Sequence, residues 1–107
     1  MISGGYNIYP SDLEAVLSKH PAIADCTVIG VPSRDWGETP VGYYVARPDA
    51  VADTAEILKW FNAQVGKTQR LSALERVEEL PRSAIGKVLK RELRDQWVSA
   101  HPSEVMA

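Results

Sequence analysis

Two short apolar runs, separated by a proline- and glycine-marked break, constrain this chain more than any other feature. Residues 22–31 read AIADCTVIGV and residues 39–47 read TPVGYYVAR. Both are rich in β-branched and aromatic side chains, and each is too short for a convincing helix. Between them lies Pro32-Ser33-Arg34-Asp35-Trp36-Gly37-Glu38, where proline and glycine favour a loop. The pattern predicts two antiparallel strands, with Pro32 ending the first.

Helical patterns flank that pair. Pro10-Ser11-Asp12-Leu13-Glu14 places a proline at a helix start, and Ser11 with Glu14 has capping-box spacing. Leu13, Val16 and Leu17 then share one face, which predicts a helix over residues 10–19, stopped by Pro21. A second helix is expected over residues 53–65, with Asp53 or Thr54 as cap, Ile57, Leu58, Phe61 and Val65 as stripe, and Gly66 as terminator. Pro48-Asp49-Ala50 is a turn. A short strand is expected near residues 75–79 and a loop over 81–86. A last helix then starts near residues 88–90 and runs to about 98, carrying Leu89, Leu93 and Trp97 at every fourth position. Upstream, Ile2 and Ile8 flank Ser3-Gly4-Gly5, as in a tight hairpin or loop. The order hairpin–α–β–β–α–β–α implies a small two-layer α+β domain, with helices packed on one face of a short sheet and an N-terminal hairpin attached.

Composition excludes several functions. A chain of 107 residues can bury one core without staples. Its single cysteine, Cys26, excludes an internal disulfide framework and any cysteine-based zinc cluster. His20 and His101 lack spaced partners, so no metal site is expected. A net charge of −2 argues against nucleic-acid binding. Residues 82–94 do carry five basic side chains against the single acid Glu92, which reads as a solvated helix face or a cofactor-facing edge. No apolar run approaches the ~20 residues of a membrane span, and the N-terminus has no basic region followed by an apolar stretch, so no signal peptide is expected. The expected compartment is the cytoplasm.

The residue that points most directly to chemistry is Lys87, in Pro81-Arg82-Ser83-Ala84-Ile85-Gly86-Lys87. A phosphate-binding P-loop would need glycine at Pro81 and Ser or Thr at Val88, so that reading fails. Lys87 instead stands just ahead of a helix, where a cation, free backbone N–H groups and a neighbouring glycine suit an anion. The same residues also suit an ordinary exposed lysine at a loop–helix junction. Gly4 and Gly5, without side chains, would let a ligand chain pass close to the backbone; a simple turn has the same sequence.

Three segments together resemble the adenylate-forming superfamily of acyl- and aryl-CoA synthetases, luciferases and peptide-synthetase adenylation domains. ISGGYNIYPSDLE is similar to the family's SGG-x-N-I-x-P-x-E-I/L-E, with Asp12 in place of the usual glutamate. VIGVPSRDWGETPVGYYV is similar to its strand–loop–strand, and ELPRSAIGKVLKRELR to its final LP-R/K-x-x-x-GK motif. The resemblance covers residues 2–94 and only the family's small C-terminal lid domain. The large N-terminal domain is expected in cis, and this chain is expected to begin just after the hinge.

That resemblance implies an activity in two steps. ATP and Mg²⁺ activate a carboxylate as acyl-adenylate, and the acyl group then passes to the thiol of CoA. The lid rotates between the steps. Lys87 is the implied catalytic residue of the first step, and Gly4 and Gly5 line the pantetheine tunnel in the second. Trp36 is the implied stacking partner of the CoA adenine, although packing at a strand turn would place it equally well. Arg70 is the implied contact to CoA phosphates, in a segment that lacks the proline of relatives. Mg²⁺ would be held mainly by the large domain, and a lysine acetyltransferase acting on Lys87 would be a regulator. Two alternatives remain open: a peptide-synthetase subdomain serving a carrier protein, or a non-catalytic interaction or dimerisation module of the same fold.

Overall fold

The computed structural model of the chain describes residues 2–3, 6–33, 37–50, 53–66 and 69–100. Its elements in order are β1 (Ile2–Ser3), β2 (Tyr6–Asn7), α1 (Pro10–Leu17), β3 (Ile23–Ser33), β4 (Gly37–Ala46), α2 (Thr54–Gln64), β5 (Ala73–Arg76) and α3 (Lys90–Ala100). The α+β class and the antiparallel β1–β2 pair agree with the sequence expectation.

The two apolar runs form the centre. β3 and β4 pair antiparallel from Ile23 opposite Ala46 to Ser33 opposite Gly37. Pro32 does not end β3, because it pairs with Glu38 one place from the ribbon's end. β3 is the sheet's edge strand, where a proline without an N–H can face outward and break no ladder bond. On the other side of β4 lie β1, through Ser3 opposite Gly37, and β5, which runs parallel over Val41–Tyr44.

The helices do not share one face, which corrects the two-layer expectation. Leu13 and Leu17 of α1 and Ile57 and Phe61 of α2 pack with Val28, Tyr44 and Leu74. Leu93 and Trp97 of α3 pack on the opposite face with Ile29, Val31, Val41 and Tyr43. The cause is in the strands. Neighbouring residues such as Val28 and Ile29, or Tyr43 and Tyr44, are apolar on both sides of the pleat, and burying both sides requires a layer on each. Gly42 leaves room for the leucines of β5 and its entry: a Cβ there would stand 2.9 Å from Leu74 Cδ1 and 3.1 Å from Leu71 Cδ1.

Local signals set the starts of α1 and α2. Asp53 is the α2 cap, its Oδ1 accepting from Glu56 N at 2.8 Å. That helix ends at Gln64 with Val65 extended, and Gly66 does not adopt the positive φ expected of a terminator. The Ser11–Glu14 capping box is not formed. Pro10 takes the first helical position, which moves the cap back to Tyr9, and Tyr9 makes no side-chain cap bond. β5 begins two residues before its expected place. Asn62 of α2 pins the entry, accepting from Leu71 N at 3.0 Å and donating to Leu71 O at 3.3 Å.

Candidate functional site: a braced lysine hairpin

Lys87 sits on the returning arm of a tight hairpin rather than at a helix start. Arg82 and Val88 bridge antiparallel. Ser83 N donates to Lys87 O at 2.8 Å, Gly86 N to Ser83 O at 2.9 Å, and Lys87 N to Ser83 Oγ at 3.3 Å. Gly86 makes the turn with φ of +85°, where a side chain would be strained. These bonds correct two parts of the sequence argument. The backbone N–H groups of Ser83, Gly86 and Lys87 are used inside the hairpin, so they are not donors for an anion. α3 begins three residues later at Lys90, and a helix dipole fades beyond its first turn. Anion recognition here rests on the Lys87 ammonium itself.

Around the hairpin runs an open groove of about 670 Å³, bordered by Lys87 and by Asp25, Cys26 and Thr27 of β3. Its carboxylates already have partners. Asp25 pairs with Arg82. Glu14 Oε2 accepts from Thr27 Oγ1 at 2.8 Å and Val28 N at 2.8 Å, and lies 3.1 Å from Lys90 Nζ. That one carboxylate ties α1, the outer edge of β3 and the first residue of α3 together, and it covers a strand edge that would otherwise invite pairing. Lys87 is exposed and makes no ion pair among the described residues. An unneutralised cation on a braced turn is equipped to meet an anionic group from outside the domain.

Sequence reading missed Asp25, Arg82 and Glu14 as contributors. Glu14 was legible only as a capping residue, and the Arg82–Asp25 pair spans 57 residues.

Cys26 lines the same groove, in surroundings that disfavour its thiolate. Burial, then the Glu14 and Asp25 charges, push its thiol up to about 11 from 9.0. This agrees with a packing role, and Sγ lies 3.6 Å from Glu14 O. The shift has a definite sign. The folded state favours the thiol, so that contribution to stability is full below pH 9 and is lost as pH rises toward 11. At pH 8 the native protein should react with iodoacetamide about 100-fold more slowly than the urea-unfolded chain, as the thiolate fraction dictates. Equal alkylation rates would refute the buried-thiol assignment.

Of the other expected site residues, only Arg70 is among the described residues. Gly4, Gly5 and Trp36 lie outside the described residues, as does His101. Ser3, which precedes the glycine pair, is placed opposite Gly37. Asp25, which holds Arg82, is placed opposite Val45. At about 3.3 Å per strand residue, those two positions on β4 are roughly 26 Å apart. Arg70 is exposed and leads into β5, across β4 from the β3 edge that carries the Lys87 hairpin. Arg70 and Lys87 therefore do not meet. Among the described residues, no three His, Cys, Asp or Glu side chains gather as a metal-ligand set, and no helix is long and apolar enough to cross a membrane.

The fold and sequence have clear relatives. The AMP-binding enzyme C-terminal domain matches residues 12–87. The chain is 38% identical over 94 residues to 4-coumarate–CoA ligase-like 9 of Oryza sativa subsp. japonica, covering 88% of this chain and 17% of that protein. It is 38% identical over 101 residues to a long-chain-fatty-acid–CoA ligase of Bacillus subtilis, covering 94% of this chain and 18% of that protein. Among solved structures, ATP-bound MatB from Rhodopseudomonas palustris superposes with a TM-score of 0.88 at 32% identity, over 94% of this chain and 20% of that one. The chain thus spans about a fifth of the length of these relatives. With the family description spanning most of the fold and Lys87 its last matched residue, the chain belongs to the AMP-binding enzyme C-terminal domain family.

Proposed function

We propose that this chain is the mobile lid of an ATP-dependent carboxylic acid:CoA ligase. The observation that carries the reading is Lys87: an exposed cation, unpaired among the described residues, on a hairpin braced against the sheet. In the first half-reaction a carboxylate oxygen attacks the α-phosphorus of ATP, pyrophosphate leaves, and acyl-adenylate forms. Negative charge grows on the phosphoryl oxygens in that transition state, and the Lys87 ammonium is set to stabilise it. In the second half-reaction the CoA sulfur attacks the acyl carbon and AMP leaves. The segment bracketing Gly4 and Gly5 serves that step as the wall of the pantetheine path. Two working segments roughly 26 Å apart along β4 cannot serve one reaction centre at once, which supports a rigid-body change of face between steps.

CoA is the favoured acceptor over a carrier protein, because the relatives above carry CoA-ligase names. A larger domain in cis would supply the acyl pocket, most of the ATP site and the Mg²⁺ ligands. Trp36 and Arg70 are proposed CoA contacts, toward the adenine and the phosphates. The cytoplasm is the proposed compartment. A lysine acetyltransferase acting on exposed Lys87 would cancel its charge and so switch off the first step.

The test has two arms. The purified 107-residue chain, given ATP, CoA and a panel of acids, should form no acyl-CoA. Grafted in place of the lid of a related CoA ligase, it should restore acyl-CoA formation to that ligase. Turnover by the chain alone, or a graft that folds and yields neither adenylate nor thioester, would reject the lid reading. A graft that acylates a carrier protein but not CoA would move the assignment to the peptide-synthetase class.

A further inference from the structure

We propose that Arg82 and Asp25 are positioning residues for Lys87, strapping the hairpin to the sheet so that the ammonium is aimed before substrate arrives. The proposal rests on the reading of Lys87 as the cation of the adenylation step.

The strap is built from one guanidinium. Arg82 Nη1 donates to Gly86 O at 2.7 Å, and that carbonyl belongs to the peptide that leads into Lys87. Arg82 Nη2 bonds Asp25 Oδ2 on β3. Asp25 is oriented in turn, since its other oxygen accepts from Cys26 N at 2.9 Å. It also sits just past the irregularity in β3 between Ile23 and Asp25, which re-aims the side chains there. A rigid chain of contacts therefore runs from the sheet, through a planar fork, to the backbone one residue before Lys87.

Apolar packing anchors the base of the hairpin, where Val88 lies against the α3-face cluster, but does not reach its tip. Ile85 at the tip is 88% exposed, and a Cβ on Gly86 would meet nothing within 4 Å. The hairpin's own hydrogen bonds close the turn, and the polar strap ties that closed turn to β3. Lysine could not replace Arg82, because a single ammonium lacks the fork that spans both acceptors. The Arg82–Asp25 pair is about 40% exposed on each side. Pairs of that kind contribute little to stability, so removing it should leave the fold standing and register in rate.

The experiment uses the intact ligase carrying this lid, with each half-reaction measured separately. Arg82→Ala should lower kcat for adenylate formation by about 10- to 100-fold, as misplacement of a reacting group does. KM for ATP should hardly change, and CoA transfer from preformed adenylate should be spared. Arg82→Lys should fail to rescue, and Asp25→Asn should give a smaller loss of the same kind. In a Lys87→Ala background, Arg82→Ala should have no further effect, because the group it aims is gone. Additive losses in that background, a parallel fall of both half-reactions, or an Arg82→Ala enzyme of full activity would each overturn the strap. Should Arg82→Ala not fold, Arg82→Lys and Asp25→Asn carry the same comparison. A Lys87→Ala enzyme with unchanged adenylation would instead overturn the parent reading, and the strap with it.

Discussion

Lys87→Ala in the intact ligase should slow acyl-adenylate formation by about 10²–10³-fold, the usual loss when one preorganised electrostatic contact to a transition state is removed. Transfer of the acyl group from supplied adenylate to CoA should stay within about twofold of the parent enzyme, because an interaction made only in one transition state leaves other steps alone. The melting temperature should not move, since Lys87 is exposed and makes no ion pair among the described residues. Lys87→Arg should recover little. Its charge is kept, but a planar fork does not put that charge where an ammonium stood. Pyrophosphate exchange reads the first half-reaction and thioester formation from preformed adenylate reads the second. An enzyme that loses both in proportion, while folded, would show that Lys87 serves the shape of the domain rather than the first chemical step.

The strands were the most legible part of this chain, for a physical reason. β-branched and aromatic runs of strand length, broken by Pro and Gly, have few other ways to fold. The face assignment of the last helix was also within reach. VIGV and VGYYV carry apolar residues at successive positions, and a strand apolar on both sides must be covered on both sides. Reading the helices onto one face ignored that. Features that depend on tertiary partners were not legible. The place of β5 follows from the Asn62 bonds to Leu71, and Glu14 was drawn away from a local cap by Thr27, Val28 and Lys90. Lys87 stood out by motif, yet its support did not, since the brace comes from Asp25 on a distant strand. Local chemistry suggested free N–H groups and a helix dipole at Lys87. The structure replaces both with a closed hairpin and a single ammonium.

The complementary substitution tests the other end of the ribbon. Gly4→Leu in the intact ligase should leave adenylate formation near the parent rate and slow transfer to CoA by about 10²-fold or more, the scale expected when a reacting group is displaced by an ångström or so. The argument starts from separation. Ser3 is fixed opposite Gly37 at the start of β4, while the Lys87 hairpin is tied through Arg82 to Asp25, opposite Val45 near its end. A change at the first position reaches the second only through some 26 Å of ordered ribbon, so the adenylation step has no direct route by which to feel it. A pantetheine arm passing a glycine has only backbone beside it. Leucine adds four carbons to that path and has no easy way to withdraw them, whereas Gly4→Ala, with one carbon, should give an intermediate loss. Gly5→Leu discriminates between neighbours: if the arm lies one residue further on, the large effect moves there and Gly4→Leu becomes mild. With Lys87→Ala failing only in the first half-reaction and one of these glycine variants failing only in the second, the two ends of one strand pair would be assigned to two steps of one reaction. If both glycine variants instead lower adenylation as much as transfer, with the fold intact, the thioester face lies elsewhere on the domain, and Arg70, across the sheet from Lys87, becomes the next position to substitute.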